Sequence, residues 1–308
     1  MRVVFMGTPV FSCNVLNGLI ENYDVVGIVS QPDKEVGRKK VLTATPTKEI
    51  GLKNNIKVIQ PIKIRKEYQE VLELKPDLIV TCAYGQIIPE EILDYPKYGC
   101  INVHASLLPK YRGGAPIHRS IINGDKETGI TIMYMDKGMD TGNIISQEKI
   151  SIEENDNLET VSNKLSVLGR DLLLKTLPSI IEGTNESIKQ DENEVTYAYN
   201  IKPEEEHIDF NKTSEEINNL VRGLSPMIGA YFMMDGNRCK VFKTRIGTEK
   251  YNNIGVINKI YKDGIGISCK DGEIILEEIQ PFGKKKMLVS SYLNGIKKEE
   301  LLDKELND

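Results

Sequence analysis

Over its first 181 residues the chain alternates short apolar runs with helical patterns, and this alternation restricts the fold more than any other feature. The runs at 2–6, 25–30, 58–60, 78–82, 100–104, 130–135 and 144–150 read as strands. Apolar residues at helical spacing fall at 11–20, 47–53, 65–74, 116–122 and, over a longer stretch, 158–181. Strands separated by helices are joined by crossovers, so the pattern predicts a mostly parallel sheet with helices on both faces. The rhythm then changes. Residues 184–203 are polar and mixed and read as a linker, although 195–199 fits an extended path across the surface. A helix at 214–224 is followed by short apolar runs at 229–234, 239–245, 255–261, 265–269 and 273–279, punctuated by Asp-Gly pairs at 235–236, 263–264 and 271–272. Five short strands with such turns predict a small antiparallel barrel. The expected division is therefore an α/β domain at 1–183, a linker at 184–203 and a barrel at 204–308.

The opening strand, the turn Gly7-Thr8-Pro9 and the helix after it make a Rossmann-like start, but without a GxGxxG fingerprint or an acidic residue placed for an adenosine ribose. A GxxxxGK[ST] loop is also missing, so neither a dinucleotide nor a nucleoside triphosphate is the expected ligand. Five cysteines, Cys13, Cys82, Cys100, Cys239 and Cys269, never approach a CxxC spacing and read as reduced structural thiols; no metal is expected. The N-terminal apolar run is too short for a signal peptide, and no stretch approaches the roughly 20 apolar residues of a membrane span, so a cytoplasmic protein is expected. Separately, the chain is expected to act as a monomer. A net charge of −5 argues against indiscriminate coating of nucleic acid and leaves room for local basic patches.

The chemistry concentrates in residues 100–116. On an extended strand Asn102 and His104 share a face while Ile101 and Val103 take the other. Two polar side chains on an apolar strand are tolerated where the carboxyl end of a sheet strand opens a ligand crevice. The next segment, Ser106 to Pro116, holds two prolines and two glycines, more backbone-shaping residues than a plain connector requires. A second strand, 130–135, runs into Asp136-Lys137-Gly138-Met139-Asp140-Thr141-Gly142, whose glycines free the backbone to present a carboxylate. Asn102, His104 and Asp140 can thus converge, with Asp136 expected to shape the turn. His118 and His207 have no such neighbours and are expected to be structural.

Asn102-x-His104 followed by Ser106-Leu107-Leu108-Pro109, with Asp140-Thr141-Gly142 farther on, resembles the signature of the folate-dependent formyltransferases, and the similarity extends over nearly the whole chain. It implies 10-formyltetrahydrofolate as co-substrate, Asn102, His104 and Asp140 as catalytic residues, and an OB-like form for the C-terminal barrel. Formyl transfer needs donors for an oxygen that becomes negative and a route for an amine proton. His104 and Asn102 can supply the donors, while Asp140 supports charge on the imidazole or orients a proton-carrying water. The folate pocket is expected between Gln86, Ile87 and Ile88 on one side and Ser106, Leu107, Leu108 and Pro109 on the other. Two positions depart from the family pattern: Val10 stands where an acidic residue is common, and Asn143 where an Asp is common.

The second substrate is signalled by cations. Residues 31–48 form a long inserted loop with five Lys or Arg against two acids, and Arg38-Lys39-Lys40 is its expected tip. Arg238, Lys240, Lys243 and Arg245 fall within eight residues, split between two faces unless a bulge intervenes, and Lys284-Lys285-Lys286 adds a third cluster. Three basic clusters beside an OB-like barrel favour nucleic acid, and the whole-chain similarity is to members that formylate methionyl initiator tRNA. The competing expectations are a formyltransferase for an amino-sugar nucleotide or another small amine, and a catalytically inert tRNA-binding module.

Overall fold

The computed structural model describes residues 1–37 and 39–306. Two compact units make up the chain: Met1–Pro116, Glu127–Ser151 and Ser162–Tyr199 form the first, while Ile117–Lys126, Ile152–Val161 and the chain from Asn200 onward form the second. In chain order the elements up to residue 182 are β1 (Arg2–Gly7), α1 (Phe11–Asn22), β2 (Asp24–Val29), β3 (Lys34–Val36), β4 (Val41–Thr43), α2 (Pro46–Lys53), β5 (Val58–Ile59), α3 (Gln69–Glu73), β6 (Leu78–Cys82), α4 (Glu90–Leu93), β7 (Cys100–His104), α5 (Pro116–Ile122), β8 (Glu127–Tyr134), β9 (Ile144–Ser151) and α6 (Leu158–Glu182).

Seven strands form the sheet of the first unit in the order β5-β2-β1-β6-β7-β8-β9. The pairs from β5 to β7 are parallel, while β7–β8 and β8–β9 are antiparallel. The mostly parallel α/β sheet expected from the alternation is therefore present. Val3, Val4, Phe5 and Met6 of β1 have no exposed surface, as a central strand covered on both faces requires. Strand order across the sheet reverses between β1 and β6, so the loops after β1, β6 and β7 emerge where open α/β sheets bind ligands.

Two local expectations change. The inserted segment 31–48 is not irregular: Lys34–Val36 and Val41–Thr43 pair as an antiparallel hairpin, and α2 begins at Pro46, capped by the Thr45 hydroxyl accepting from Lys48 N. The helix expected over 65–74 is confined to Gln69–Glu73, one turn and a little more.

In the second unit, α7 (Ser214–Leu224) starts with a capping box: Thr213 Oγ1 accepts from Glu216 N at 3.2 Å, and the Glu216 carboxylate accepts from Thr213 N at 2.9 Å. The strands β10 (Ala230–Met234), β11 (Asn237–Ile246), β12 (Ile257–Ile260), β13 (Ile265–Cys269) and β14 (Gly272–Gln280) pair antiparallel in the order β10-β11-β14-β13-β12. A short β15 (Met287–Leu288) joins β14 and leads into α8 (Val289–Leu293). Ile217, Val221 and Leu224 of α7 belong to one apolar cluster with Val241, Ile267 and Leu276 of the sheet. Register shifts around Lys243 mark a bulge in β11, and Val241 and Phe242 are consecutively buried there. That extra residue resets the alternation, so Arg238 and Lys240 before it and Lys243 and Arg245 after it all turn away from the core.

Candidate active site

Asn102 and His104 lie at the carboxyl end of β7, and each is held by a partner that fixes its orientation. The Thr81 hydroxyl on β6 donates to Asn102 Oδ1 at 2.8 Å, and the amide is assigned by its other end, where Nδ2 faces the acceptor-only carboxylate of Asp140. Nδ2 sits 3.4 Å from Asp140 Oδ1. His104, with 6% of its surface exposed, places Nε2 3.0 Å from the Tyr111 carbonyl. A carbonyl only accepts, so Nε2 carries the hydrogen. His104 Nδ1 lies 3.6 Å from the same Asp140 Oδ1, an ion-pair distance beyond hydrogen-bond range.

Asp140 is held more tightly through its other oxygen, which accepts from Gly113 N at 2.8 Å. One carboxylate oxygen is thus fastened to the backbone, and the other is loosely engaged between a ring nitrogen and an amide nitrogen. The residue has φ +56°, in the left-handed region, which an Asp tolerates at roughly 1–2 kcal/mol. Strand direction makes this loop necessary. β8 runs antiparallel to β7, with Tyr134 opposite Ile101, so the chain leaves β8 at the far end from His104 and returns through 136–142. Asp136 shapes that return, accepting from Gly138 N at 3.0 Å and from Thr141 Oγ1 at 2.5 Å.

The segment expected to be a linker supplies partners that sequence reasoning misses. Arg112, 1% exposed, donates from Nε to Gln190 Oε1 at 3.0 Å and pairs through its guanidinium with Glu192 at 2.9 Å. Gln190, also buried, donates from Nε2 to the carbonyls of Asp140 and Gly142, each at 2.8 Å. Backbone bonds from Arg112 N to Thr196 O and from Ala198 N to Arg112 O fasten 196–198 along the loop. Gly113, at φ +122°, could not carry a Cβ here, because the atom would stand 2.9 Å from Ala198 O. A lone Gln in a polar stretch gives no periodic or motif signal, and the fully buried Arg112 is visible in the sequence only as one residue of the Pro- and Gly-rich loop.

The residues expected to line a folate pocket divide by exposure. Ile87 is 64% exposed, and Leu107 and Pro109 are half-buried. Ile88, Ser106 and Leu108 are buried, Ile88 within the core cluster beside Tyr84 and Ile92. Ser106 donates to Lys110 O at 2.7 Å, and Leu108 uses its N–H on Thr131 Oγ1 and its carbonyl on Gln147 Nε2. Gln86 accepts from Ile64 N at 2.9 Å and donates to Pro61 O at 3.2 Å. In these loops the exposed positions are Ala83 and Gly85, both at positive φ, and Ile87. Val10 is 68% exposed, and Asn143, also exposed, donates toward Ser187 Oγ. Two surface cavities of about 530 and 310 Å³, lined around Tyr134 and Gly183 and around Gln147 and Thr176, include none of Asn102, His104 and Asp140.

The cation clusters differ in what holds them. Lys39 and Lys40 stand exposed in the hairpin turn without an ion-pair partner among the described residues, and Arg38 lies outside the described residues. Lys48, in the same basic segment, turns to Asp33 at 2.6 Å. On β11 the bulge collects the four cations on one face, but Lys243 and Arg245 both pair with Glu277, and Arg245 also with Asp263. Lys240 donates to Ile228 O at 2.6 Å and Arg238 stacks over Tyr231 at 4.2 Å. Lys286 pairs with Glu278 at 2.9 Å, Lys284 lies over Tyr292, and Lys285 is exposed.

His118 is held below its ordinary range by burial and by the neighbouring Arg119, and His207 packs edge-on against Tyr231, so both take structural positions. Burial pushes the thiols of Cys82, Cys100 and Cys239 up to about 12, as for unreactive core cysteines. Among the described residues no group of three or more His, Cys, Asp or Glu side chains is placed to hold a metal ion, and no helix is long and apolar enough to cross a membrane.

With this geometry in view, relatives place the chain. Residues 1–177 match the family model for formyl transferase, and residues 200–297 match that for the formyl transferase C-terminal domain. A methionyl-tRNA formyltransferase of Staphylococcus aureus is 52% identical over 298 residues, covering 96% of each chain. The chain belongs to the methionyl-tRNA formyltransferase family. Among solved structures, an N-formyltransferase from Helicobacter canadensis, in complex with folinic acid and dTDP-3-aminofucose, is similar with a TM-score of 0.68 and 25% identity, covering 92% of this chain and all of the other. A methionyl-tRNA formyltransferase from Clostridium thermocellum shares the fold with a TM-score of 0.59 at 18% identity, over 92% of this chain and 99% of its own. Asn102, His104 and Asp140 gather an amide, an imidazole and a carboxylate in one place, the kinds of group on which a formyl transfer draws.

Proposed function

We propose that the chain transfers the formyl group of 10-formyltetrahydrofolate to the free amino group of methionyl initiator tRNA. The observation that carries this reading is the meeting of Asn102 Nδ2 and His104 Nδ1 within 3.4 and 3.6 Å of one Asp140 oxygen. The Asn102 amide, joined by His104 when its ring is protonated at Nδ1, suits a formyl oxygen that gains negative charge as the amine adds, and preorganised donors of this kind act on the transition state rather than on binding. The loosely engaged Asp140 oxygen is available to accept the proton that the amine must lose, directly or through a water. Its distances are long for catalytic hydrogen bonds, as is common before substrate draws such groups together.

Folate supplies the activated formyl group. Its ring is read as lying against residues 83–89 and 105–109, a reading supported by the exposure of Ala83, Gly85 and Ile87 and by Ser106, Leu108 and Gln86, which brace the loops. The antiparallel strands of the second unit are read as an OB-like barrel, and the hairpin tip together with the basic face of β11 as the tRNA contacts. The hairpin is favoured as the primary contact because Lys39 and Lys40 have no acid to neutralise them among the described residues.

The amino-sugar nucleotide named for the Helicobacter protein is the competitor to test. Purified chain is given labelled 10-formyltetrahydrofolate with equal amounts of methionyl initiator tRNA and dTDP-3-aminofucose, and label is then sought on each acceptor. The proposal predicts label on methionine. Preferential label on the sugar would overturn it.

A further inference from the structure

Gln190 lies 50 residues beyond Asp140 in the chain, and its amide closes a ring of hydrogen bonds around that residue. The Nε2 group spans two carbonyls, those of Asp140 and Gly142, on either side of Thr141. This is the turn in which Asp140 takes φ +56°. Gln190 Oε1 receives Arg112 Nε, which assigns the amide without ambiguity: the oxygen faces a donor and the nitrogen faces two acceptors. Arg112 is the middle residue of a clamp. Its predecessor Tyr111 meets His104 Nε2 through its carbonyl, and its successor Gly113 donates to the Asp140 carboxylate. The side chain of Arg112 therefore ties, through Gln190, the peptide that carries the carboxylate to the peptide that holds both the carboxylate and the imidazole.

We infer that Gln190 and Arg112 are positioning residues that fix the Asp140 carboxylate against His104 and Asn102, and that this strap sets the rate of formyl transfer without contributing to folate affinity. Three observations support it. Both side chains are almost wholly buried, although one is charged, and a buried guanidinium is retained only with its donors satisfied. The hydrogen bonds end on the loop of Asp140 and not on the 83–89 or 105–109 loops. Asp140 Oδ1 has only long contacts to the two nitrogens, so its position is set by what holds its backbone and its other oxygen. A displacement of about 1 Å in such a group can lower a rate on the order of 10²-fold.

The inference rests on the proposed function, so its test carries a reading that does not depend on the acceptor. Gln190→Glu keeps the shape and the Arg112 contact while removing both donors to the Asp140 and Gly142 carbonyls. Turnover on methionyl-tRNA, folate affinity by titration and thermal unfolding are measured together. The ring ¹⁵N signals are recorded in histidine-labelled protein, where only His104, His118 and His207 contribute. The expected result is at least about a tenfold fall in kcat, folate affinity within about twofold, cooperative unfolding retained, and displacement of the His104 signals alone. Unchanged kcat and unmoved His104 signals in a folded variant would overturn the inference. So would a fall in activity that merely tracks weaker folate binding and a smaller yield of folded protein. Should Gln190→Glu fail to fold, Arg112→Lys retains a cation for Glu192 and removes the Nε donor, and the same pattern is required of it. A wild-type protein inactive on methionyl-tRNA would count against the proposed function, while the His104 signals would still decide for or against the strap.

Discussion

Around His104 the polar side chains are held mainly by main-chain groups: the Tyr111 carbonyl takes the imidazole, and Gly113 N takes the Asp140 carboxylate. On the basic face of β11 the partners are side chains, since Lys243 and Arg245 share Glu277, which reaches them from β14. Main-chain partners come with the fold and cannot rotate away, so they hold a constellation for chemistry at little further entropic cost. Side-chain acids can be displaced, so a phosphate arriving at β11 must first compete with a carboxylate. The contrast separates two kinds of basic and polar cluster that look alike as composition: one built to be rigid, the other already neutralised in part.

The largest effect is expected within the rigid cluster. Asn102→Ala and Asp140→Asn should each lower turnover by roughly 10² or more with little change in folate affinity, because they act on charge that forms during reaction. Turnover and folate titration on the same preparations check this, and near-normal rates would show that main-chain fixation at this site serves stability alone. Next in size is the hairpin tip. Changing Arg38, Lys39 and Lys40 to Ala should weaken tRNA use and reduce the slope of log affinity against log salt by about 0.7–0.9 for each phosphate that the variant no longer neutralises, leaving folate binding as it was. Kinetics with charged tRNA at several salt concentrations provide the measurement.

Smaller and opposite effects are expected on β11. Lys243→Ala should cost less tRNA affinity than the tip variant, whereas Glu277→Gln, which frees Lys243 and Arg245, should strengthen it. If Lys243→Ala were as damaging as the tip variant, the neutralised cations would have to be counted as primary contacts and the comparison would break. The smallest effect concerns a buried acid nearby. Glu273 has no exposed surface, and burial raises its carboxyl pKa above the ordinary range despite the Tyr261 hydroxyl bond. A raised folded-state pKa gives stability that is complete below the unfolded value, about 4.3, and lost as pH rises through the folded one. Glu273→Gln should therefore unfold at a higher temperature than wild type at neutral pH, with the difference shrinking toward acid pH. A constant difference across pH would show that Glu273 does not titrate between the two states.

How far these arrangements can be read from sequence depends on the range of the interaction. The strands and the shared face of Asn102 and His104 follow from local periodicity, and Asp136 announces its turn through Gly138. A bulge in β11 is the condition under which its four cations share a face; the register supplies it, although no residue in 237–246 marks it. The direction of β8 is not local. It depends on pairing with β7, and only that pairing explains why the Asp140 loop must double back. The hairpin of 34–43 is hidden from periodicity because its strands are three residues long and exposed, with no buried face to impose alternation. Gln190 and Glu277 are illegible for a common reason: each acts on residues 30 or more positions away, and a polar residue in a polar stretch carries no sign of its partner.

The central claim, that the side chains at the end of β7 carry out formyl transfer, is tested most directly by a single turnover. Wild-type protein and His104→Ala are saturated with labelled 10-formyltetrahydrofolate, mixed with methionyl initiator tRNA, and sampled for formylmethionine and released folate. The account predicts that wild type yields the two in equal amounts, and that His104→Ala binds folate as before but forms product at least about 10²-fold more slowly. Equal rates for the two proteins, or folate release from wild type without formylmethionine, would contradict it.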